Sequence, residues 1–197
     1  MLSAEQNQLV TLTGSDQPAG ALMRRYWQPA ALTEEFSEAH PVVPVRLMGE
    51  NLVAFRTDGG EYRLMAARCP HRGADLRFGR LEDGGIRCPF HGWLFDGKGN
   101  CLEQPAEPAG SGFHTKIRTA GFPCREKNGV VFAYLGPGAP PPLPHADCIA
   151  APSSYTFAFK GYLECNWLQA LEVGIDPVHG SSLHRFFDAE DPDEGYG

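Results

Sequence analysis

Two cysteines and two histidines stand in two tight pairs between residues 69 and 93, in the stretch CPHRGADLRFGRLEDGGIRCPFHGW. Cys69 and His71 form the first pair, Cys88 and His91 form the second, and sixteen residues lie between the pairs. Thiolate sulfur and imidazole nitrogen together are ligands for zinc or for an iron–sulfur centre. The spacing therefore predicts a metal centre held by two loops.

The mixed composition of each pair favours a cluster of two unlike irons. Zinc modules usually take like ligands from each knuckle, as in C-x2–4-C and H-x3–5-H. Here each loop offers one Cys and one His, so both loops can give sulfur to one iron and imidazole to the other. That is the Rieske [2Fe–2S] arrangement, in which two histidines replace two cysteines on one iron. A zinc site is the alternative.

At these positions the chain resembles the Rieske family, through C-P-H-R-G at 69–73 and C-P-F-H-G-W at 88–93. High-potential members of that family have an extra Cys in each loop and hydroxyl side chains after the second pair. This chain has no spare Cys in either loop, and Trp93 and Phe95 stand at the hydroxyl positions. Hydrogen bonds to the sulfurs stabilise the more negative reduced cluster. The resemblance therefore implies a potential near the low end of the Rieske range, about −150 mV.

A second group of candidate ligands lies in NWLQALEVGIDPVHGSSLH. His179 and His184 are candidate iron ligands, and Asp176 stands three residues before His179, on the same helical face. Non-haem Fe(II) oxygenases use two histidines and one carboxylate. Residues five apart on a straight helix point about 140° apart, so we expect the backbone to leave the regular helix between the histidines, near Pro177 and Gly180. The alternative is a pair of ordinary histidines at a helix end.

This segment resembles the D-x2-H-x4-H motif of Rieske non-haem iron oxygenases, and with the opening MLSAEQNQLV it is most similar to the phthalate dioxygenase-like group. The resemblance implies an oxygenase (alpha) subunit that belongs to a homotrimer or hexamer. It implies a Rieske [2Fe–2S] cluster and a mononuclear Fe(II), the first held by Cys69, His71, Cys88 and His91 and the second by His179 and His184. It also implies that Asp176 is catalytic and connects His179 to the partner subunit's His91.

The same resemblance implies a reaction and an electron donor. The donor is a separate NAD(P)H-dependent reductase with flavin and an iron–sulfur cluster. The reaction activates O2 to hydroxylate, dihydroxylate or demethylate an aromatic compound, in particular an aromatic acid. The sequence leaves a second function open, which is a Rieske electron carrier with a vestigial or incomplete catalytic domain. Residues 153–184 favour the oxygenase, because an electron carrier has no use for the D-x2-H-x4-H motif.

The third ligand of the mononuclear iron is unassigned. In the family that the chain resembles it is a carboxylate far downstream, whereas this sequence stops at Gly197. An acidic run with Gly and Pro is typical of a solvated loop rather than of a metal site. The acidic residues of the tail are Asp188, Glu190, Asp191, Asp193 and Glu194. We therefore expect residues 1–197 to bind the Rieske cluster but to retain little mononuclear iron.

The composition narrows the functional class. A hydrophobic fraction of 42% in 197 residues is enough for a packed core. The net charge of −7 and a pI near 5.5 exclude nucleic acid as a partner, since phosphate binding needs a basic surface. No targeting segment is visible, and the longest strongly apolar run, VVFAYL, is too short to cross a membrane. We expect a cytoplasmic protein in which the other four cysteines, Cys101, Cys124, Cys148 and Cys165, are reduced, buried thiols.

The sequence patterns around these residues predict that strands and helices of an α+β chain position them. Short runs separated by Gly turns, such as VVPVRLMG, NLVAFRT and YRLMAARC, indicate antiparallel strands. Two hairpins are expected, around Asp96–Gly99 and around Asn128-Gly129. We also expect a strand over SYTFAFKGYLEC, and then a helix over NWLQALEVGID that is N-capped by Asn166 with the side chain of Gln169 reaching back.

Four parts are expected along the chain. The first, residues 1–40, is an N-terminal helical segment, in which Ser3 and Gln6 form a capping box and the helical pattern runs on through LMRRYW. Residues 41–136 form the antiparallel β Rieske domain, and residues 137–152 form a proline-rich linker. The resemblance implies that residues 153–197 begin a helix-grip catalytic domain, which is apparently truncated.

Overall fold

The computed structural model describes residues 2–108 and 110–184. They form two compact units, of which one is Leu12–Lys160 and the other contains the described residues before Leu12 and after Lys160. The helices are α1 Ala4–Thr11, α2 Pro18–Met23, α3 Asp147–Ala150, α4 Trp167–Ile175 and α5 Gly180–Leu183. The strands are β1 Gln28–Leu32, β2 Val42–Leu47, β3 Glu50–Arg56, β4 Tyr62–Ala66, β5 Arg80–Glu82, β6 Gly85–Arg87, β7 Leu94–Phe95, β8 Cys101–Glu103, β9 Gly121–Lys127 and β10 Val130–Ala133. The expected boundaries at residues 40, 136 and 152 stay predictions.

The larger unit is built from two antiparallel sheets. One has six strands in the order β1-β10-β9-β4-β3-β2, and the other has four in the order β5-β6-β7-β8. Alternate residues of a strand point to opposite faces. In β3, Val53 and Phe55 pack into one core and Leu52 and Ala54 pack into another, so both faces of this strand are buried. The prediction of an antiparallel β domain is confirmed.

Both expected hairpins are present. Asn128 and Gly129 have φ angles of 52° and 81°, and they join Lys127 of β9 directly to Val130 of β10. Positive φ at both turn residues is what a two-residue hairpin needs, and Asn-Gly supplies it at little cost. The other hairpin joins β7 to β8, where the carboxylate of Asp96 accepts hydrogen bonds from backbone N–H groups of the turn.

The N-terminal prediction is partly right. Ser3 and Gln6 form the expected capping box, because each side chain accepts a hydrogen bond from the backbone N–H of the other residue. The prediction that the helix continues through LMRRYW is wrong beyond Met23, where α2 ends. The chain then enters β1, which pairs with β10. Pro29 disfavours helical backbone at the residue before it, and the side chain of Trp27 is buried in the larger unit.

The proline-rich segment 137–152 belongs to the larger unit and is hydrogen-bonded to other parts of it. The indole Nε1 of Trp27 donates to the carbonyl of Pro141 at 2.7 Å, and the Tyr134 hydroxyl donates to the carbonyl of Pro137 at 3.0 Å. Asn128 fixes the far end of the segment. Its side-chain Nδ2 donates to the carbonyls of Cys148, Ile149 and Ala151. This segment is therefore anchored along most of its length.

Asn166 caps helix α4, as predicted. Its Oδ1 accepts from the backbone N–H groups of Leu168 and Gln169, both at 3.1 Å. Gln169 contributes this backbone N–H rather than the side-chain contact that was expected. The α4 helix ends at Ile175, and the backbone of Asp176 is extended, with φ −82° and ψ 113°. Pro177 follows directly and prevents the helix from continuing.

The strand expected over SYTFAFKGYLEC is wrong. Residues 153–155 form a 3-10 turn, and residues 156–165 have no regular secondary structure. Tyr155, Phe157 and Phe159 are 84%, 86% and 79% exposed. Their alternation satisfies the strand pattern, but a strand also needs a partner for its backbone groups. Within the described residues, no neighbouring strand supplies one.

The remaining cysteines are free, as expected, but only one of the four is fully buried. Cys101 is buried and Cys124 is half-buried, whereas Cys148 and Cys165 are exposed. Cys148 lies on the short surface helix α3, and Cys165 lies just before α4, so neither position belongs to a core. None of the described helices combines the length and the apolar character that crossing a membrane requires.

Candidate metal centres

The two Cys–His loops have the same backbone construction. In the first, the N–H of Gly73 donates to the carbonyl of Cys69, and the N–H of Cys69 donates to the carbonyl of Ala74, both at 2.9 Å. In the second, the N–H of Gly92 donates to the carbonyl of Cys88 at 3.1 Å, and the N–H of Cys88 donates to the carbonyl of Trp93 at 2.8 Å. Gly73 and Gly92 have φ angles of 70° and 72°, a left-handed conformation that favours glycine.

These loops bring all four predicted ligands of the first centre together. Cys69 and Cys88 are each 2% exposed and belong to the core between the two sheets. The rings of His71 and His91 lie 4.6 Å apart, centroid to centroid, at 62° to each other. His71 is exposed and His91 is half-exposed. The sulfurs therefore face the interior and the imidazoles face outward.

Burial is the main influence on the Cys69 thiol. It raises the pKa of Cys69 to about 11, against a lowering contribution from the backbone N–H of His71. The neighbouring Cys88 thiol, within hydrogen-bonding reach, raises it further. The pKa of His71 is lowered, first by loss of solvation and then by the neighbouring His91 and Arg72. A lowered pKa favours the neutral imidazole, which is the form that binds a metal.

The donors of the first centre form two like pairs, two buried thiols and two neighbouring imidazoles. Among the described residues, no three or more His, Cys, Asp or Glu side chains converge on a point that could hold a single metal ion. A structural zinc site needs four donors around one ion. A Rieske cluster takes two donors on each iron. The pair of buried thiols and the adjacent pair of imidazoles match that second requirement.

Three residues beside the first centre were not predicted as part of it. The side chain of Arg87, in the strand before Cys88, donates to the carbonyl of Gly92 at 2.7 Å and to the Glu103 carboxylate at 2.7 Å, and so holds the second loop in place. Phe90 packs on His91, with ring centroids 4.0 Å apart. Gln104 is buried, and its amide has no hydrogen bond to any residue that the structure describes. Arg87 and Phe90 adjoin the motif in sequence, but nothing in the local sequence marks Gln104.

The second group of candidate ligands lies in the smaller unit. The rings of His179 and His184 are 5.3 Å apart, centroid to centroid. The Asp176 Oδ2 lies 3.4 Å from Nδ1 of His179, which is an electrostatic contact rather than a well-formed hydrogen bond. A hydrogen bond from the N–H of Val178, at 2.9 Å, is the main reason that the pKa of Asp176 is lowered, and His179 adds to it.

The expected departure from helix between the two histidines is wrong. Residues 180–183 form the short helix α5, and the break lies earlier, at Asp176 and Pro177. The two rings still lie close together, and His184 lies just past the end of α5, with φ −97° and ψ 10°. Nδ1 of His179 is shielded from solvent and has no hydrogen bond among the described residues. The acidic tail residues, Asp188, Glu190, Asp191, Asp193 and Glu194, lie outside the described residues.

Comparison with known proteins decides the family. Residues 26–123 match the profile of the Rieske [2Fe-2S] domain. The 5,5'-dehydrodivanillate O-demethylase oxygenase subunit of a Sphingobium species is 42% identical over 188 residues, which are 93% of this chain and 44% of that protein. The phthalate 4,5-dioxygenase oxygenase subunit of Pseudomonas putida is 42% identical over 187 residues, 93% of this chain and 42% of that protein. The chain belongs to the Rieske oxygenase family.

Solved structures of Rieske oxygenases agree with this placement. Dicamba monooxygenase has a TM-score of 0.54 and 29% identity, over 66% of this chain and 40% of that one. The terminal oxygenase of carbazole 1,9a-dioxygenase from Nocardioides aromaticivorans also has a TM-score of 0.54, with 29% identity over 60% of this chain and 32% of that one. The chain spans less than half the length of these relatives.

The predicted cofactors are those of this Rieske oxygenase family, a [2Fe–2S] cluster and a non-haem Fe(II). The two buried thiols and two outward imidazoles fit the cluster. For the Fe(II), the described residues supply two neighbouring imidazoles and a carboxylate that contacts one of them.

Proposed function

We propose that this chain is part of the oxygenase component of a multicomponent Rieske non-haem iron oxygenase. The component takes electrons from an NAD(P)H-dependent reductase and uses O2 to hydroxylate, dihydroxylate or demethylate an aromatic compound. The observation that supports this most directly is that one chain contains both side-chain sets. One set is the two thiols and two imidazoles of the matching loops, and the other is the Asp176, His179 and His184 group.

In this proposal Cys69 and Cys88 hold the inner iron of the cluster, and His71 and His91 hold the outer one. When bound, the cluster supplies single electrons and the mononuclear Fe(II) supplies the site at which O2 reacts. The thiols are enclosed by the core, so water is kept from the sulfur side. The imidazoles face outward, and so they are the edge through which electrons enter and leave.

His179 and His184 are the proposed ligands of the Fe(II), and Asp176 positions His179. A carboxylate next to the non-ligating nitrogen of a ligand histidine fixes its tautomer and its orientation. Nδ1 of His179 lies toward Asp176, which leaves Nε2 as the nitrogen free to bind a metal. We further propose that Asp176 meets the partner subunit's His91 in a homotrimer or hexamer. The third ligand is left unassigned.

The substrate class is proposed from the relatives. Two of them act on dehydrodivanillate and on phthalate according to their names, which supports an aromatic acid. A relative that is 40% identical over 92% of this chain, from Aquincola tertiaricarbonis, is instead a tert-butanol monooxygenase and tert-amyl alcohol desaturase subunit. The identity of the ring substrate therefore needs a direct test.

That test uses the complete protein with NAD(P)H, a flavin and iron–sulfur reductase, and a panel of aromatic acids and their methyl ethers. The proposal predicts O2 uptake that depends on substrate and yields a hydroxylated, dihydroxylated or demethylated product. If the protein instead accepts and delivers electrons with no substrate-dependent O2 uptake for any compound, it is an electron carrier and the oxygenase proposal fails.

A further inference from the structure

Gln104 is a buried amide without a hydrogen-bond partner in the part of the chain that the structure describes. The residue is 6% exposed, and neither its Nε2 nor its Oε1 has a partner among the described residues. Arg24 is also buried, but its guanidinium donates to the carbonyls of Thr13 and Gly20 and to the Glu50 carboxylate. Buried polar groups are nearly always paired. The unpaired amide of Gln104 therefore indicates a partner that is not part of the described polypeptide.

The position of Gln104 directly after β8 places it beside the first metal centre. The last paired residues of β7 and β8 are Leu94 and Glu103, and Trp93 and Gln104 are the next residues outward from that pair, just outside the two strands. Residues directly opposite in antiparallel strands point to the same face. Trp93 stacks on the ring of His71, and it belongs to the core that contains Cys69.

Both neighbours of Gln104 are fixed against the second loop. A Cβ added at Gly92 would lie 3.3 Å from Cγ of Pro105, so residue 105 packs directly on the residue after His91. Arg87 bonds at once to the carbonyl of Gly92 and to the Glu103 carboxylate. The backbone on either side of Gln104 is thus held next to the loop that contains His91.

We propose that the side-chain N–H of Gln104 donates a hydrogen bond to a sulfur of the [2Fe–2S] centre. The inference rests on the ligand set of the proposed function. Thiolate and sulfide sulfurs in such a centre are negatively charged acceptors, and hydrogen bonds to them are a main determinant of its potential. Residues 93 and 95 are Trp and Phe, so neither offers a hydroxyl donor. Gln104, the residue after β8, supplies an amide donor instead.

A donor at this position changes the reduction equilibrium. The reduced centre has one more negative charge than the oxidised centre, so a hydrogen bond to its sulfur stabilises the reduced state more. Gln104 therefore raises the midpoint potential, relative to the same protein with an apolar residue at this position.

The experiment compares the complete wild-type protein with Gln104→Leu and Gln104→Met, which remove the donor while keeping the side chain's approximate size. The EPR signal of the reduced cluster follows the reduction equilibrium. In both variants the equilibrium constant for reduction should fall by about tenfold, which is a shift of the midpoint potential by about 59 mV to lower values for a one-electron couple. Leu102→Met is the matched control, because Leu102 lies on β8 two residues before Gln104 and is 45% exposed. It should leave the potential unchanged.

A second measurement identifies the contact directly. Wild-type protein labelled with 15N at the glutamine side-chain amide should show coupling between that nitrogen and the reduced cluster in pulsed EPR, and the coupling should be absent in both variants. Unchanged potentials in cluster-containing variants would overturn the inference. If neither variant keeps its cluster, the labelled wild-type protein decides, and absence of the coupling there overturns it. A wild-type protein with no Rieske signal would instead defeat the proposed function.

Discussion

The imidazole of His71 lies flat against the indole of Trp93, with ring centroids 4.5 Å apart and planes 7° apart. Trp93 is buried, and its own edge meets Phe113 at a ring angle of 80°. The first proposed ligand loop is thus supported by a residue of the second. This contact gives the outward imidazole a fixed orientation without a hydrogen bond.

Removing that indole should loosen the centre. Trp93→Ala should lower the free energy of unfolding by about 3 kcal/mol or more, as for other buried aromatic residues, and should reduce bound iron and sulfide. Trp93→Phe keeps an aromatic face for His71 and should retain most of the cluster. Phe113→Ala, which removes the ring that meets the edge of Trp93 and leaves the indole in place, is the control and should retain the cluster. A Trp93→Ala protein with full iron and sulfide and an unaltered EPR spectrum would show that the stacking is incidental.

Asp176 should control electron transfer rather than cluster assembly. Asp176→Asn in the complete enzyme keeps the size of the side chain but removes the charge that orients His179, and partners of this kind typically affect metal sites by about 10- to 100-fold. We expect the visible spectrum of the cluster to be unchanged and its single-turnover oxidation to slow by about that factor. Glu172→Gln, one helical turn earlier and exposed, is the matched control. Wild-type rates in Asp176→Asn would remove Asp176 from the electron path.

His179 and His184 should affect only the mononuclear iron. In the complete enzyme, either His179→Ala or His184→Ala should lower bound iron from about three atoms per chain to about two, because the cluster retains its own two irons. Acid-labile sulfide should stay the same. His145→Ala, at an exposed histidine of the proline-rich segment, should change neither value. Full iron content in both ligand variants would mean that the iron is held elsewhere.

The local parts of the fold were predictable where one short-range rule decided them. The hairpin at Asn128-Gly129 was predicted correctly because positive φ is needed at both turn residues. The cap at Asn166 was predicted correctly because its Oδ1 accepts from two free N–H groups at the start of the helix. The Cys–His loops were equally predictable, because the residue types and their spacing can be read directly from the sequence. Such features depend on residues within a few positions of one another.

The parts that were mispredicted or not predicted depend on distant partners. Alternating aromatic residues at 155, 157 and 159 satisfy the strand pattern, but whether they form a strand depends on a backbone partner from elsewhere in the protein. The anchoring of the proline-rich segment depends on Trp27, more than a hundred residues away. The unpaired amide of Gln104 is likewise visible only after β7 and β8 are paired.

The most direct test of the ligand set measures the histidine nitrogens of the reduced cluster. Protein labelled with 15N-histidine, reduced with dithionite and examined by electron–nuclear double resonance, should show two strongly coupled nitrogens. His71→Cys and His91→Cys should each remove one of them. Iron and sulfide should be present in equal amounts at the cluster. A protein that holds stoichiometric zinc without iron or sulfide, or a cluster with no histidine coupling, would contradict the assignment of Cys69, His71, Cys88 and His91 as the Rieske ligands.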